Sequence, residues 1–354
     1  MDNGVAKSAQ STPARSFSQQ DNGARKMISI NQQAHKIVDQ MVERAEPLGI
    51  DVVYLPSGAR VIDIGLQAPG GLLAGLMTAN ASLGGMGQVN FQLLDYGEFS
   101  LPGVYVTVDQ TEIGCMAAQY AGWGIRRGEF FAIGSGPARA LSRGEPIFQQ
   151  LDYTDSAEVA VIILEGQKMP GDEVAEYLAR KCHITPQGLT MIMAPAACLA
   201  GAVQLVGRVV ATGLHKMFKL GFDVRKVLYG FGTCPIPPII PVEDRASALA
   251  NDCVLYGGRV TYTVRCEDAE LEALIERIPS TASPSYGTPF YELYQNFGSF
   301  YNVDPLIFCP SQVTMNNLTS GRVFRAGQPH LGVLRTSILG EGGMKKAMPE
   351  QTGG

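Results

Sequence analysis

The sequence predicts an α/β protein with some α+β character, and two observations carry that prediction. Short apolar strands alternate with helical patterns through the middle of the chain. Its 354 residues, 45% hydrophobic and 17% charged, can bury a sizeable core and favour two domains. We expect an N-terminal α/β domain over residues 27–150 and a C-terminal one over 151–340, with a boundary open to exchange of segments.

The elements follow in order. Residues 1–26 are rich in Ser, Gln and Asn and nearly free of apolar side chains, which predicts a disordered extension without the apolar core of a secretory signal. A polar–apolar helical pattern runs from Asn31 to Leu48 and ends near Gly49. Asp51 to Leu55 and Ala59 to Ile64 read as strands joined by a turn at Pro56-Ser57-Gly58. Glycine is dense from Gly65 to Gly87, where backbone can approach backbone or ligand. Then Val159 to Leu164, Leu189 to Met193 and Val227 to Tyr229 read as strands. Helices at Asp172 to Cys182 and Leu199 to Lys219 separate them, a β-α-β-α-β pattern. Strands over Val254 to Val264 and a short helix at Leu271 to Arg277 follow, then a loop-rich region and a Gly-rich, frayed tail at 341–354.

Composition narrows the function classes. A net charge of -5, with no basic arm, argues against a nucleic-acid binder. The longest apolar candidate, Met191 to Val210, contains Pro195, Gln204 and Arg208, so a buried helix after a strand explains it better than a membrane span. Seven cysteines without a C-x-x-C pair give neither a disulfide framework nor a zinc ribbon, and we expect a cytoplasmic chain with reduced thiols. Four scattered histidines lack ligand spacing, so no metal site is expected.

Several residues could carry chemistry. Arg208 is the only charged residue between Lys181 and Lys216, if His is counted neutral. Gln204, Arg208, Thr212 and His215 share one helix face, and no acid lies within a turn of Arg208. A guanidinium there needs a partner from elsewhere in the chain, a ligand or solvent, and an interface role stays open beside a functional one. Gly134-Ser135-Gly136-Pro137-Ala138-Arg139 resembles an anion cradle opening a helix, although an ordinary turn is the commoner use of such a segment. Asn251 and Asp252 precede Tyr256-Gly257-Gly258-Arg259, whose glycine pair points to a bulge or a close approach. Tyr286, Phe290 and Tyr291 could stack on a flat ring, although core packing is the commoner use of such aromatics.

From about Met27 to Leu339 the sequence resembles the methenyltetrahydromethanopterin cyclohydrolase family. The resemblance rests on long motifs in one order. They include Gln119-Tyr-Ala-Gly-Trp123, Phe131-Ala-Ile-Gly-Ser-Gly-Pro-Ala-Arg-Ala-Leu141, Ala194-Pro-Ala-Ala-Cys-Leu-Ala-Gly201 and Asn251-Asp-Cys-Val-Leu-Tyr-Gly-Gly-Arg-Val260. Tyr286-Gly-Thr-Pro-Phe-Tyr-Glu292, Phe300-Tyr-Asn-Val-Asp-Pro305 and Asn316-Asn-Leu-Thr-Ser-Gly321 continue the series. The resemblance implies two α/β domains with a large cleft between them and a homo-oligomer, trimer or dimer. It implies reversible hydrolysis of methenyl-tetrahydromethanopterin to the formyl form in one-carbon metabolism. The tetrahydromethanopterin derivative is then substrate, with no bound cofactor and no metal.

The resemblance also implies a catalytic Arg at Arg208 and a Glu three residues later, but that position holds Ala211. The implied substrate-binding set is Gln119, Gly134, Ser135, Gly136, Arg139, Asn251, Asp252, Tyr256, Tyr286 and Phe290. Three readings follow: an active cyclohydrolase with a relocated base, a paralogue acting on a related pterin, or a weakened or silent pterin-binding protein. Asp252, Asp304 and Glu165 are the acids to consider as replacements, with Thr212 and His215 behind them.

Overall fold

The computed structural model describes residues 28–298 and 303–340; the extension at 1–26 and the tail at 341–354 lie outside the described residues. Among the described residues twelve strands form two mixed sheets. The first has the order β1-β2-β8-β7-β6-β5: β1 Asp51–Tyr54, β2 Arg60–Asp63, β5 Trp123–Arg127, β6 Phe130–Ser135, β7 Ala160–Gly166 and β8 Leu189–Met193. The second has the order β12-β11-β10-β9-β4-β3: β3 Gly87–Asp95, β4 Ser100–Asp109, β9 Val227–Pro235, β10 Arg259–Val264, β11 Gln312–Asn317 and β12 Val323–Gly327. Strands from both sides of residue 150 enter each sheet, so the two layers are discontinuous in sequence.

The first sheet is parallel only at its centre, where β8 pairs with β2 and β7. Those strands are buried on both faces, which is why β8, Leu189–Met193, is apolar but for the buried Thr190. One face packs on helices Ile30–Glu43 and Leu72–Ser82, the other on Asp172–Lys181. Helix Ile30–Glu43 buries Ile30, Ala34, Val38 and Met41 at helical spacing, and the Ser29 side chain caps it by accepting from the Gln32 N–H. The glycine-dense segment, for which the sequence predicts no element, contains the helix Leu72–Ser82. Its glycine serves packing: a Cβ at Gly75 would fall 2.5 Å from the Ala200 carbonyl oxygen of the crossing helix Leu199–Val206.

The expected helix from Leu199 to Lys219 is two helices, Leu199–Val206 and Val209–Lys219, broken at Gly207 and Arg208. The second lies across the inner face of β9. A Cβ at Gly232 of that strand would meet Val209 and Val210 side-chain carbons at 2.9 Å. β9 is longer than expected and pairs with β4 and β10, so it is no third strand of the layer formed by β7 and β8. Asn251 and Asp252 end the helix Glu243–Asp252 instead of leading a strand, and Cys253–Gly257 continues it as a π-helical turn before β10. An apolar run of that length reads as strand or helix equally well.

Candidate functional site

A cavity of about 400 Å³ lies between the two layers. Glu165 enters it from the end of β7 in the first sheet. Arg208, Ala211, Thr212 and His215 enter along the broken helix, and Ser247, Asn251 and Val254 from the helix Glu243–Asp252 and its π-helical extension. Tyr120 and Ala121, which follow the π-helical segment Glu112–Gln119, close one side, and Pro305 and Phe308 another.

Arg208 sits at the helix break and lines the cavity. One guanidinium nitrogen, Nη1, is ion-paired with Glu165. The other, Nη2, donates to Gln204 Oε1 at 2.7 Å and to Ser135 Oγ at 3.0 Å. Only 8% of Arg208 is exposed, so its charge is answered inside the protein by one carboxylate and two neutral acceptors. The Thr212 hydroxyl donates to the Arg208 carbonyl at 2.9 Å, fixing the turn between them. Ala211 presents only a methyl group to this part of the wall.

His215 stacks on Tyr120 with ring centroids 4.3 Å apart and an interplanar angle of 22°. Burial, reinforced by the positive charges of Lys219 and Arg139, pushes its pKa down to about 4. The imidazole is therefore neutral near pH 7 and a weak proton acceptor. Burial also raises the carboxyl of Glu243, with Glu165 adding to the effect, while the Ala196 and Ala197 N–H groups oppose it by donating at 2.7 and 2.9 Å.

The other sequence-derived candidates take different places. Gly136 has a left-handed φ of 99°, but its N–H donates to Ala118 O at 2.9 Å, so it offers no free anion cradle. Arg139 is wholly buried, paired with Glu145 through both Nε and Nη2 and donating to the Met116 and Ala118 carbonyls. Of that turn, Ser135 touches the site through Arg208, and Gly134 packs against Ile125 and Ile162. Gln119 is fully buried behind the cavity, donating to Ser82 Oγ and the Gly207 carbonyl.

Asn251 lines the cavity, its side-chain amide donating to the Ser247 carbonyl at 2.9 Å. Asp252 points the other way and accepts the Phe290 N–H at 2.8 Å; burial lifts its pKa to about 7. Tyr256 and Phe290 are fully buried, and Tyr256 packs against Tyr286 with its hydroxyl on the Thr288 carbonyl, so all three build the core beside the site. Asp304 caps its own turn through the Leu306 N–H and accepts from Ser283 Oγ. Tyr120 and Ser247 were not singled out from sequence; Tyr120 stands beside Gln119 in a quoted motif, while Ser247 carried no signal. Among the described residues no group of three His, Cys, Asp or Glu is placed to hold a metal ion.

These features define an α/β protein with an interlayer cleft beside a largely enclosed guanidinium–carboxylate pair. The chain belongs to the cyclohydrolase (MCH) family, whose model matches residues 29–338. It is 41% identical over 307 residues to the methenyltetrahydromethanopterin cyclohydrolase of Methanothermobacter marburgensis, covering 85% of this chain and 96% of that protein. It is 40% identical over 318 residues to the protein of the same name from Methanocaldococcus jannaschii, covering 88% and 98%. The one from Methanococcoides burtonii is 36% identical over 315 residues, again covering 88% and 98%.

Proposed function

We propose that this chain catalyses the reversible hydrolysis of methenyl-tetrahydromethanopterin to the formyl form, with Glu165 as the base. One observation carries the reading: the carboxylate of Glu165 is paired with Arg208 on the cavity wall that also holds Ala211. A carboxylate thus stands beside Arg208, delivered by a different element from the one the resemblance implies.

The substrate is a cationic amidinium whose methenyl carbon is already electrophilic, so the reading needs no metal or prosthetic group. Glu165 takes a proton from a water as its oxygen bonds to that carbon, and the C=N π electrons withdraw onto nitrogen. The hydroxyl proton of the adduct then passes to the leaving nitrogen as the C–N bond breaks, leaving the formyl group. The proton held by Glu165 returns to solvent, so cation and water give the neutral formyl compound and one proton. Arg208 holds Glu165 in place through their ion pair. The neutral His215 and Tyr120 supply a flat wall, and Asn251 and Ser247 supply polar contacts.

The reading extends to the cell. All seven cysteines are free and buried, which supports a reducing, cytoplasmic setting. No helix among the described residues is long and apolar enough to cross a membrane. The outer face of the second sheet exposes Tyr229 and Phe231, 50% and 45% accessible, and Phe231 stacks on Tyr105. We propose this face as the contact of a homo-oligomer.

The test is the loss of the methenyl chromophore with purified protein, set against the spontaneous rate in buffer. Turnover well above that rate supports the reading. The spontaneous rate alone, with the carrier bound, would leave a binding protein.

A further inference from the structure

His215 enters the cavity one helical turn beyond Ala211, and the hydrolysis above assigns it no proton transfer. Its ring lies flat against Tyr120. Among the described residues no protein group hydrogen-bonds either ring nitrogen, so both edges are left to a ligand or water. Behind Tyr120 lies the Arg139 guanidinium, 5.1 Å from the ring centroid and already paired with Glu145. Lys219 is the other positive charge felt by the imidazole, and Arg208 is matched by Glu165.

We propose that His215 is the specificity residue that lets the cavity accept the cationic methenyl form. As an uncharged imidazole stacked on Tyr120, it gives a flat hydrogen-bonding wall without adding a charge. The inference rests on the proposed reaction and deepens it, because the two forms of the carrier differ by one positive charge. A cation held at this position would repel the methenyl form and leave the formyl form little changed. Unit charges ~7 Å apart at an effective dielectric of ~20 change an equilibrium by about ten- to a hundredfold. Burial already keeps the imidazole unprotonated at neutral pH, with a pKa of about 4.

The test measures KM and kcat in both directions, starting from the methenyl and from the formyl carrier. His215→Lys should raise KM for the methenyl form about ten- to a hundredfold more than KM for the formyl form. His215→Gln, neutral and able to hydrogen-bond, should hold the ratio of the two KM values within about threefold of the parent. An unmoved ratio in His215→Lys with measurable turnover overturns the inference and leaves the hydrolase reading intact. Parent protein that turns over neither form defeats both. Should His215→Lys fail to fold, NMR of the imidazole in the parent decides: a neutral ring at pH 6 with the methenyl form bound supports the inference, and a protonated ring overturns it.

Discussion

Arg208 and Glu165 meet across the boundary between the helix break and the first sheet, as an ion pair whose side chains are 10% and 20% exposed. Neither residue has a local reason to find the other. The pair exists because β7 ends at the cavity just where the helix bends. In so enclosed a position, removing one partner leaves a charge with poor access to water.

That relationship gives the first prediction. Glu165→Gln keeps the shape and removes both the base and the countercharge. Turnover should fall by about 10²- to 10⁴-fold, the usual worth of a positioned proton acceptor. Circular dichroism should show a folded protein, and the chromophore assay reads the loss. Parental turnover in a folded Glu165→Gln variant would remove Glu165 from the mechanism.

Asp252 gives the opposite expectation. Its carboxyl is buried against the Phe290 N–H, away from the cavity, with a pKa raised to about 7. The folded state therefore binds a proton that the unfolded state releases near pH 4, and stability from this group is lost as pH rises through about 7. Asp252→Asn retains an acceptor for Phe290 and removes the burial of charge. It should stabilise the protein above pH 7 by on the order of 4 kcal/mol, with little gain near pH 4. Turnover should be unchanged. Urea midpoints at pH 5 and pH 8 check the sign, and an equal shift at both would refute it.

The exposed aromatic face of the second sheet supplies a third. Phe231 lies between Thr107 of β4 and Thr261 of β10, with Tyr229 two residues along the same face. Phe231→Arg puts a charge at its centre and should convert the oligomer to monomers, read by light scattering, with the circular dichroism spectrum kept. A parent already monomeric, or an oligomer untouched by the change, counts against this face.

Where periodicity was local, the sequence was legible. The helix Asp172–Lys181 and strand β8 stand where their patterns put them, because one has a clean amphipathic stripe and the other is buried on both faces. β3 and β4 were not legible, since Pro102 and Gly103 are poor strand formers and β4 is held by pairing with the distant β9. The site divides in the same way. Arg208 stood out as a lone charge on an apolar helix, but its partner could not be chosen among the acids, because that contact depends on the packing of two layers. Arg139 looked like a ligand for an anion until the fold supplied Glu145 six residues along.

The last prediction concerns the position the resemblance implies should carry the carboxylate. Ala211 lies on the cavity wall, 2% exposed, in the first turn after Arg208. A Glu there would lie beside the same guanidinium, three residues along the chain. Two carboxylates would then share one Arg, and their repulsion would raise the proton affinity of one of them, which suits a base working near neutral pH. The added negative charge would also favour a cationic substrate. Ala211→Glu should therefore raise the rate constant by about one to three orders of magnitude, mainly in kcat, since the proton moves in the transition state. The sharper experiment places Ala211→Glu in the Glu165→Gln background. If the two positions serve one proton-accepting role, the second substitution restores most of what the first removed. If turnover stays at the Glu165→Gln level in a folded double variant, a carboxylate at 211 cannot reach the water, and Glu165 acts from a geometry that position 211 does not share.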